Sequence, residues 1–144
     1  PWKSQYWVRE TMDKMYTPNP DGYCGDEDNG QASAWYVFSA LGFYPVTPAV
    51  DEYVIGSPIF DKAILHLSNG KKIEINSANN SAENRYIKSL SLNGKSYTKN
   101  YLKPSEIVKG AKINFTMDSE PNRNRGTLKS DFPYSLSTAT DSNN

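Results

Sequence analysis

The sequence holds a single cysteine, Cys24, in 144 residues. An internal disulfide is therefore excluded, although one thiol does not define the redox compartment. No histidine stands near it, so Cys24 reads as a small packed residue. Excess charge is missing too: Lys+Arg and Asp+Glu both number 16, for a net charge of zero. Without a basic face or an Arg-rich helix, a nucleic-acid partner is disfavoured. The longest apolar run, residues 34–41, is far too short to span a bilayer. No signal peptide is visible at the start. The sequence opens on Pro1-Trp2 as though a beginning had been cut away. A fragment is expected, and its start says nothing about where the parent protein resides. Aromatic residues, by contrast, are plentiful at 12%, with ten tyrosines. They suit either a sugar-stacking surface or a strand-rich core.

Two kinds of periodicity divide the chain. Residues 5–16 place Val8, Met12, Met15 and Tyr16 on one stripe at helical spacing, with Trp7 beside it. Ser4 is positioned to cap that helix. Pro18 and Pro20 end it, because proline can neither continue a helix nor favour one at the residue before it. After a loop over 17–30, a second helix is expected over 31–41, stopped by Gly42. Ala34, Trp35, Val37, Phe38, Ala40 and Leu41 wrap most of its circumference. A helix so apolar belongs inside a larger helical assembly. From residue 51 the period becomes two. Ala63, Leu65 and Leu67 lead through Ser68-Asn69-Gly70-Lys71 to Ile73 and Ile75, a hairpin signature. Tyr86, Leu90 and Leu92 mark another strand, Asn93-Gly94 a second hairpin leading to Tyr97, and Ile113, Phe115 and Met117 a last strand. Residues 104–109 form a short helical turn closed by Gly110. The reading is α+β: helices at 1–45, a connector at 46–60, a small antiparallel β unit at 61–134 and a disordered tail at 135–144.

Asp26, Glu27 and Asp28 stand together between Gly25 and Gly30, at the mouth of the second helix. One reading is structural. Asp28 lies three residues before Gln31, so it can accept from free backbone N–H groups while Gln31 reaches back, as in a capping box. A second is calcium binding. The string resembles the start of an EF-hand loop, but Gln31 stands where that loop needs glycine and Val37 where it needs glutamate. An ion shared with ligands from elsewhere stays open. A third is a glycosidase carboxylate. In an extended loop residues two apart point the same way, so Asp26 and Asp28 can face one pocket while Glu27 turns aside. A helix N-terminus favours the ionised form. That suits the general base of an inverting glycosidase, which needs a separate acid about 6.5–9.5 Å away.

The stretch Gly25-Asp26-Glu27-Asp28-Asn29-Gly30-Gln31-Ala32-Ser33-Ala34-Trp35-Tyr36-Val37-Phe38-Ser39-Ala40-Leu41-Gly42-Phe43-Tyr44-Pro45-Val46 strongly resembles the signature of glycoside hydrolase family 92. So do Tyr53-Val54-Ile55-Gly56-Ser57-Pro58, Leu92-Asn93-Gly94-Lys95-Ser96-Tyr97-Thr98-Lys99-Asn100-Tyr101 and Glu120-Pro121-Asn122. One departure is Ala32, where the family pattern leads one to expect methionine. The resemblance implies a calcium-dependent, inverting exo-α-mannosidase, of a kind common among gut Bacteroidetes and often specific for α-1,2-linked mannose in glycans such as N-glycans. It implies that residues 1–45 are the last helices of an (α/α)6 barrel and that the remainder is its β appendage. The catalytic residues it implies are Asp28 and Asp26, with Asp28 favoured as the base and the reverse left open. The general acid and most ligands of the Ca2+ ion would lie in the upstream part of the parent chain. The parent would be periplasmic, extracellular or on the cell surface, its partners mannose-containing glycans and the rest of its own chain.

A rival reading from another class is a non-catalytic carbohydrate-binding or adhesive β module whose helical start is only a linker. Trp35 and Tyr36 could line a sugar pocket, and Tyr97 and Tyr101 could stack a sugar, though core packing is the simpler account of all four. His66, mid-strand, reads as a surface or packed residue. The triplets Asn79-Asn80-Ser81 and Asn114-Phe115-Thr116 match the glycosylation acceptor pattern, which chance alone often produces.

Overall fold

The computed structural model describes residues 1–139. The first helix, α1, covers Trp2–Met15. It starts earlier than expected, so Ser4 lies within its first turn and no side chain caps it. Its buried residues are Gln5, Arg9 and Met12, one helical face at i, i+4 and i+7. That face is not the apolar stripe, since Met15 is exposed. The reason lies in what it covers. The Gln5 amide oxygen accepts the Ile87 backbone N–H at 2.9 Å, beside a register shift at residues 87–89. The Arg9 guanidinium donates to the Pro58 carbonyl, to Asn80 Oδ1 at 3.0 Å and to the Ser81 carbonyl at 2.7 Å. Polar side chains are needed here because loop carbonyls and amides would otherwise be buried unpaired.

Arg9 thus fastens the helical region to the β region. Arg9→Met keeps the apolar stem but strands these acceptors. It is expected to cost about 2–3 kcal/mol, read as a lowered urea midpoint of this chain. Lys14, exposed and paired with Glu10, is the control: Lys14→Ala should leave the midpoint in place.

The second helix, α2, covers Gln31–Leu41. Gly42 ends it as expected, at φ 100°, with its N–H on the carbonyls of Phe38 and Ser39. Ala40 is buried and Phe38 and Leu41 pack on the core, whereas Val37 is 57% exposed. Strands β1 (Phe43–Tyr44) and β2 (Tyr53–Ile55) follow. Next come β3 (Lys62–His66), β4 (Lys72–Ala78), β5 (Tyr86–Leu92), β6 (Lys95–Ser96) and β7 (Tyr101–Leu102). A helical turn, α3 (Pro104–Ile107), leads to β8 (Ala111–Asp118), and a last turn, α4, covers Leu136–Ala139. The part of the expected disordered tail from residue 140 onward lies outside the described residues.

Two sheets result, ordered β1-β2-β7 and β3-β4-β8-β5-β6. Both hairpins form where expected. At the second, Asn93 and Gly94 take φ 51° and 79°, the two left-handed residues of a type I′ turn. The expectation of a purely antiparallel unit is corrected: β8 runs parallel to β4, with Ile75 opposite Ile113, and antiparallel to β5. Parallel neighbours need a long crossover, and here residues 79–110 provide it. The connector at 46–60 holds a strand of its own, since β2 lies within it and pairs with β1 and β7. The core gathers Ile73, Ile75, Ile87, Leu90, Leu102, Ile113, Phe115 and Met117. A buried polar knot braces the segment after β8. There Arg125 donates to Asn100 Oδ1 at 3.1 Å, and Asn100 donates to the Gly126 carbonyl at 2.7 Å. A Cβ on Gly126, at φ 66°, would meet Asn100 Oδ1 at 2.2 Å, so only glycine fits.

Candidate active site

The loop between α1 and α2 is cinched at its start. Tyr16 and Tyr23 form an antiparallel bridge, and the Thr17 N–H donates to the Gly22 carbonyl at 2.9 Å. The Tyr16 ring stacks on Trp35 at 5.6 Å and meets Tyr36 at 5.0 Å and the edge of Tyr23 at 5.9 Å. Trp35 and Tyr36 therefore hold the loop against α2. A cleft of about 600 Å³ opens beside them, lined by Tyr16, Asn19, Tyr23, Ser33 and Tyr36 among others. Asp26 and Asp28 do not line it.

The three acids differ in what they touch. Both Glu27 oxygens accept the Ser33 backbone N–H at 3.1 Å, and the Ser33 hydroxyl donates to Oε1 as well. These bonds, foremost that of the hydroxyl, hold the Glu27 carboxyl below the usual glutamate range. They are complete at pH above that range and are lost as pH falls through the lowered value. Ser33 Oγ lies 2.7 Å from the Tyr23 hydroxyl. The expected capping box is corrected: no side chain of Asp28 caps α2, and Gln31 reaches Tyr44 Oη instead, at 3.1 Å. Asn29 and Gly30 explain this. At φ 55° and 78° they turn the chain left-handed just before α2, which brings Glu27 over the Ser33 N–H. Asn and Gly are the residues that accept this conformation. The Asp28 carbonyl accepts the Gln31 N–H. Among the described residues none hydrogen-bonds the carboxylate of Asp26 or Asp28, and both residues are exposed.

No three His, Cys, Asp or Glu side chains among the described residues converge to hold a metal ion. Cys24 is exposed, which corrects the packed reading. Tyr97 and Tyr101 are packing residues. The Tyr97 hydroxyl donates to the Tyr101 carbonyl at 2.8 Å and is pushed up to about 12 by burial. His66 lies exposed on β3. Asn114 is held by Asn76 within the sheet, at 3.0 Å.

Residues 1–119 match the family model described as the glycosyl hydrolase family 92 catalytic domain. The chain belongs to glycoside hydrolase family 92. Among solved structures it is similar to an inverting mannosidase of this family from Bacteroides thetaiotaomicron. The two are 55% identical with a TM-score of 0.89, over 95% of this chain and 19% of that one. A family 92 α-mannosidase from the same organism is 43% identical with a TM-score of 0.90, over 94% and 18%. An uncharacterized secreted glycosidase of Arthroderma benhamiae is 32% identical over 118 residues, which are 80% of this chain and 15% of that protein. This family 92 chain thus spans about a fifth or less of the length of these relatives. The residues that match the family model include α1 through β8.

Proposed function

We propose that this chain is the C-terminal part of an inverting exo-α-mannosidase acting on terminal α-1,2-linked mannose, and that it carries the general base. The observation that supports this is a division of labour in the acidic loop. Glu27 is committed to Ser33, while Asp26 and Asp28 keep their carboxylates free toward solvent. A base must reach a water molecule, so an uncommitted carboxylate on a fastened loop suits the task. Asp28 takes the proton as the water oxygen attacks the anomeric carbon from the face opposite the leaving group. The glycosidic C–O bond breaks, and the departing oxygen takes a proton from an acid elsewhere in the parent chain. Asp26 assists by holding the water. Most ligands of the calcium ion implied by the family resemblance would come from outside this chain.

In this reading α1 and α2 close an (α/α)6 barrel, which accounts for Trp7 on α1 and Val37 on α2 standing 64% and 57% exposed. The similarity to a secreted glycosidase supports a place outside the cytoplasm. The test is proton NMR of α-1,2-mannobiose hydrolysis. The full-length enzyme should release β-mannose first, and this 144-residue chain alone should release none. First release of the α-anomer would overturn inversion. Turnover by the isolated chain would overturn the claim that it lacks the acid.

A further inference from the structure

We propose that Glu27 is a positioning residue, the latch that holds the Asp26–Asp28 segment in register through Ser33 and Tyr23. The proposal rests on the base assignment made above. Its geometry turns on one hydroxyl. Ser33 Oγ donates to Glu27 Oε1, and an ionised carboxylate can only accept. The hydroxyl hydrogen of Ser33 is thereby used, so at 2.7 Å the Tyr23 hydroxyl is the donor to Ser33 Oγ. A directed chain results: Tyr23 O–H to Ser33 O–H to Glu27 carboxylate.

Tyr23 and Glu27 bracket Cys24, Gly25 and Asp26, and both are tied to the same serine. Asp28 is pinned from both sides as well, by the Glu27 bonds before it and by the Gln31 N–H on its own carbonyl after it. Beyond the Tyr16–Tyr23 bridge and ring contact and the Gln31–Tyr44 bond at its two ends, little else restrains this stretch. A Cβ built at Gly25 or Gly30 meets nothing within 4 Å, and residues 23–31 are exposed throughout. An exposed loop with few packed contacts opens readily, and displacing a reacting group by about 1 Å can cost roughly a hundredfold in rate. Glu27 thus serves the reaction without touching the sugar.

The experiment uses the full-length enzyme and α-1,2-mannobiose, with kcat and KM measured well below the Tm of each variant so that only folded protein is compared. Glu27→Ala is expected to lower kcat roughly tenfold to hundredfold with little change in KM, because the base acts only in the transition state. Glu27→Gln keeps an oxygen that accepts from Ser33 and should recover most of that loss. Tyr23→Phe, the mildest change, should lower kcat in the same direction. Adding Ser33→Ala to Glu27→Ala should cost little further, because the Glu27 link is already gone and only the Tyr23–Ser33 bond is left to lose. A normal kcat in Glu27→Ala overturns the latch. So does a Glu27→Gln variant as slow as Glu27→Ala, which would make the carboxylate a chemical participant. Asp28→Asn, run in parallel, separates the two claims, for turnover retained there overturns the base assignment instead.

Discussion

Asp28→Ala in the full-length enzyme is expected to cut kcat on α-1,2-mannobiose by about 10²–10⁴-fold, the range for loss of a general base, with KM nearly unchanged. Water alone is too weak a nucleophile to attack the anomeric carbon at neutral pH without a partner for its proton. In this assignment Asp28 acts on the water and not on the sugar, so the loss falls on the chemical step. The fold should tolerate the change, because the Asp28 side chain has no hydrogen-bond partner among the described residues and is exposed. Circular dichroism and Tm should match the wild type. Asp26→Ala should lose less. If the larger loss follows Asp26, the two roles are exchanged. If neither variant loses turnover, the loop is not the base.

Phe115→Ala is expected to give the largest loss of stability, about 3–5 kcal/mol. Phe115 is 1% exposed on the central strand β8, between β4 and β5. Its ring packs in the core with Ile75, Ile87 and Ile113, and the sheet on both sides prevents the cavity from collapsing. Against a typical total of about 5–15 kcal/mol, that is roughly a fifth or more of the stability of this chain. The measurement is the urea midpoint at unchanged m-value. Ile64, 42% exposed on β3, is the comparison: Ile64→Ala should move the midpoint far less. Equal shifts at the two positions would show that the buried strand is not where stability concentrates.

The parts of the fold that were legible in advance are those decided within a few residues. Asn93-Gly94 demanded a left-handed turn and formed one, and Gly42 ended α2 because its backbone could turn left-handed where other residues resist. The alternation of Ile113, Phe115 and Met117 placed one side of β8 in the core. Period two says which side chains face inward, but nothing about which strand lies alongside. The parallel pairing of β8 with β4 was accordingly invisible, as was the sheet that unites β1, β2 and β7. Arg9 escaped notice for a related reason. Its acceptors, the Pro58 and Ser81 carbonyls and the Asn80 side chain, are 49 to 72 residues away.

At the acidic loop the residue types alone established the chemistry on offer: three carboxylates before a helix, flanked by glycines that let the chain turn. Spacing suggested Asp28 as the helix cap, since three residues is the usual reach. Only the folded chain assigned the cap to Glu27, because two consecutive left-handed residues redirect the backbone before α2, and a hydroxyl six positions away becomes the nearest donor. Local preferences are written residue by residue, so the sequence carries them openly. Which acid is left free depends on where distant atoms come to rest, and that is settled only when the chain closes on itself.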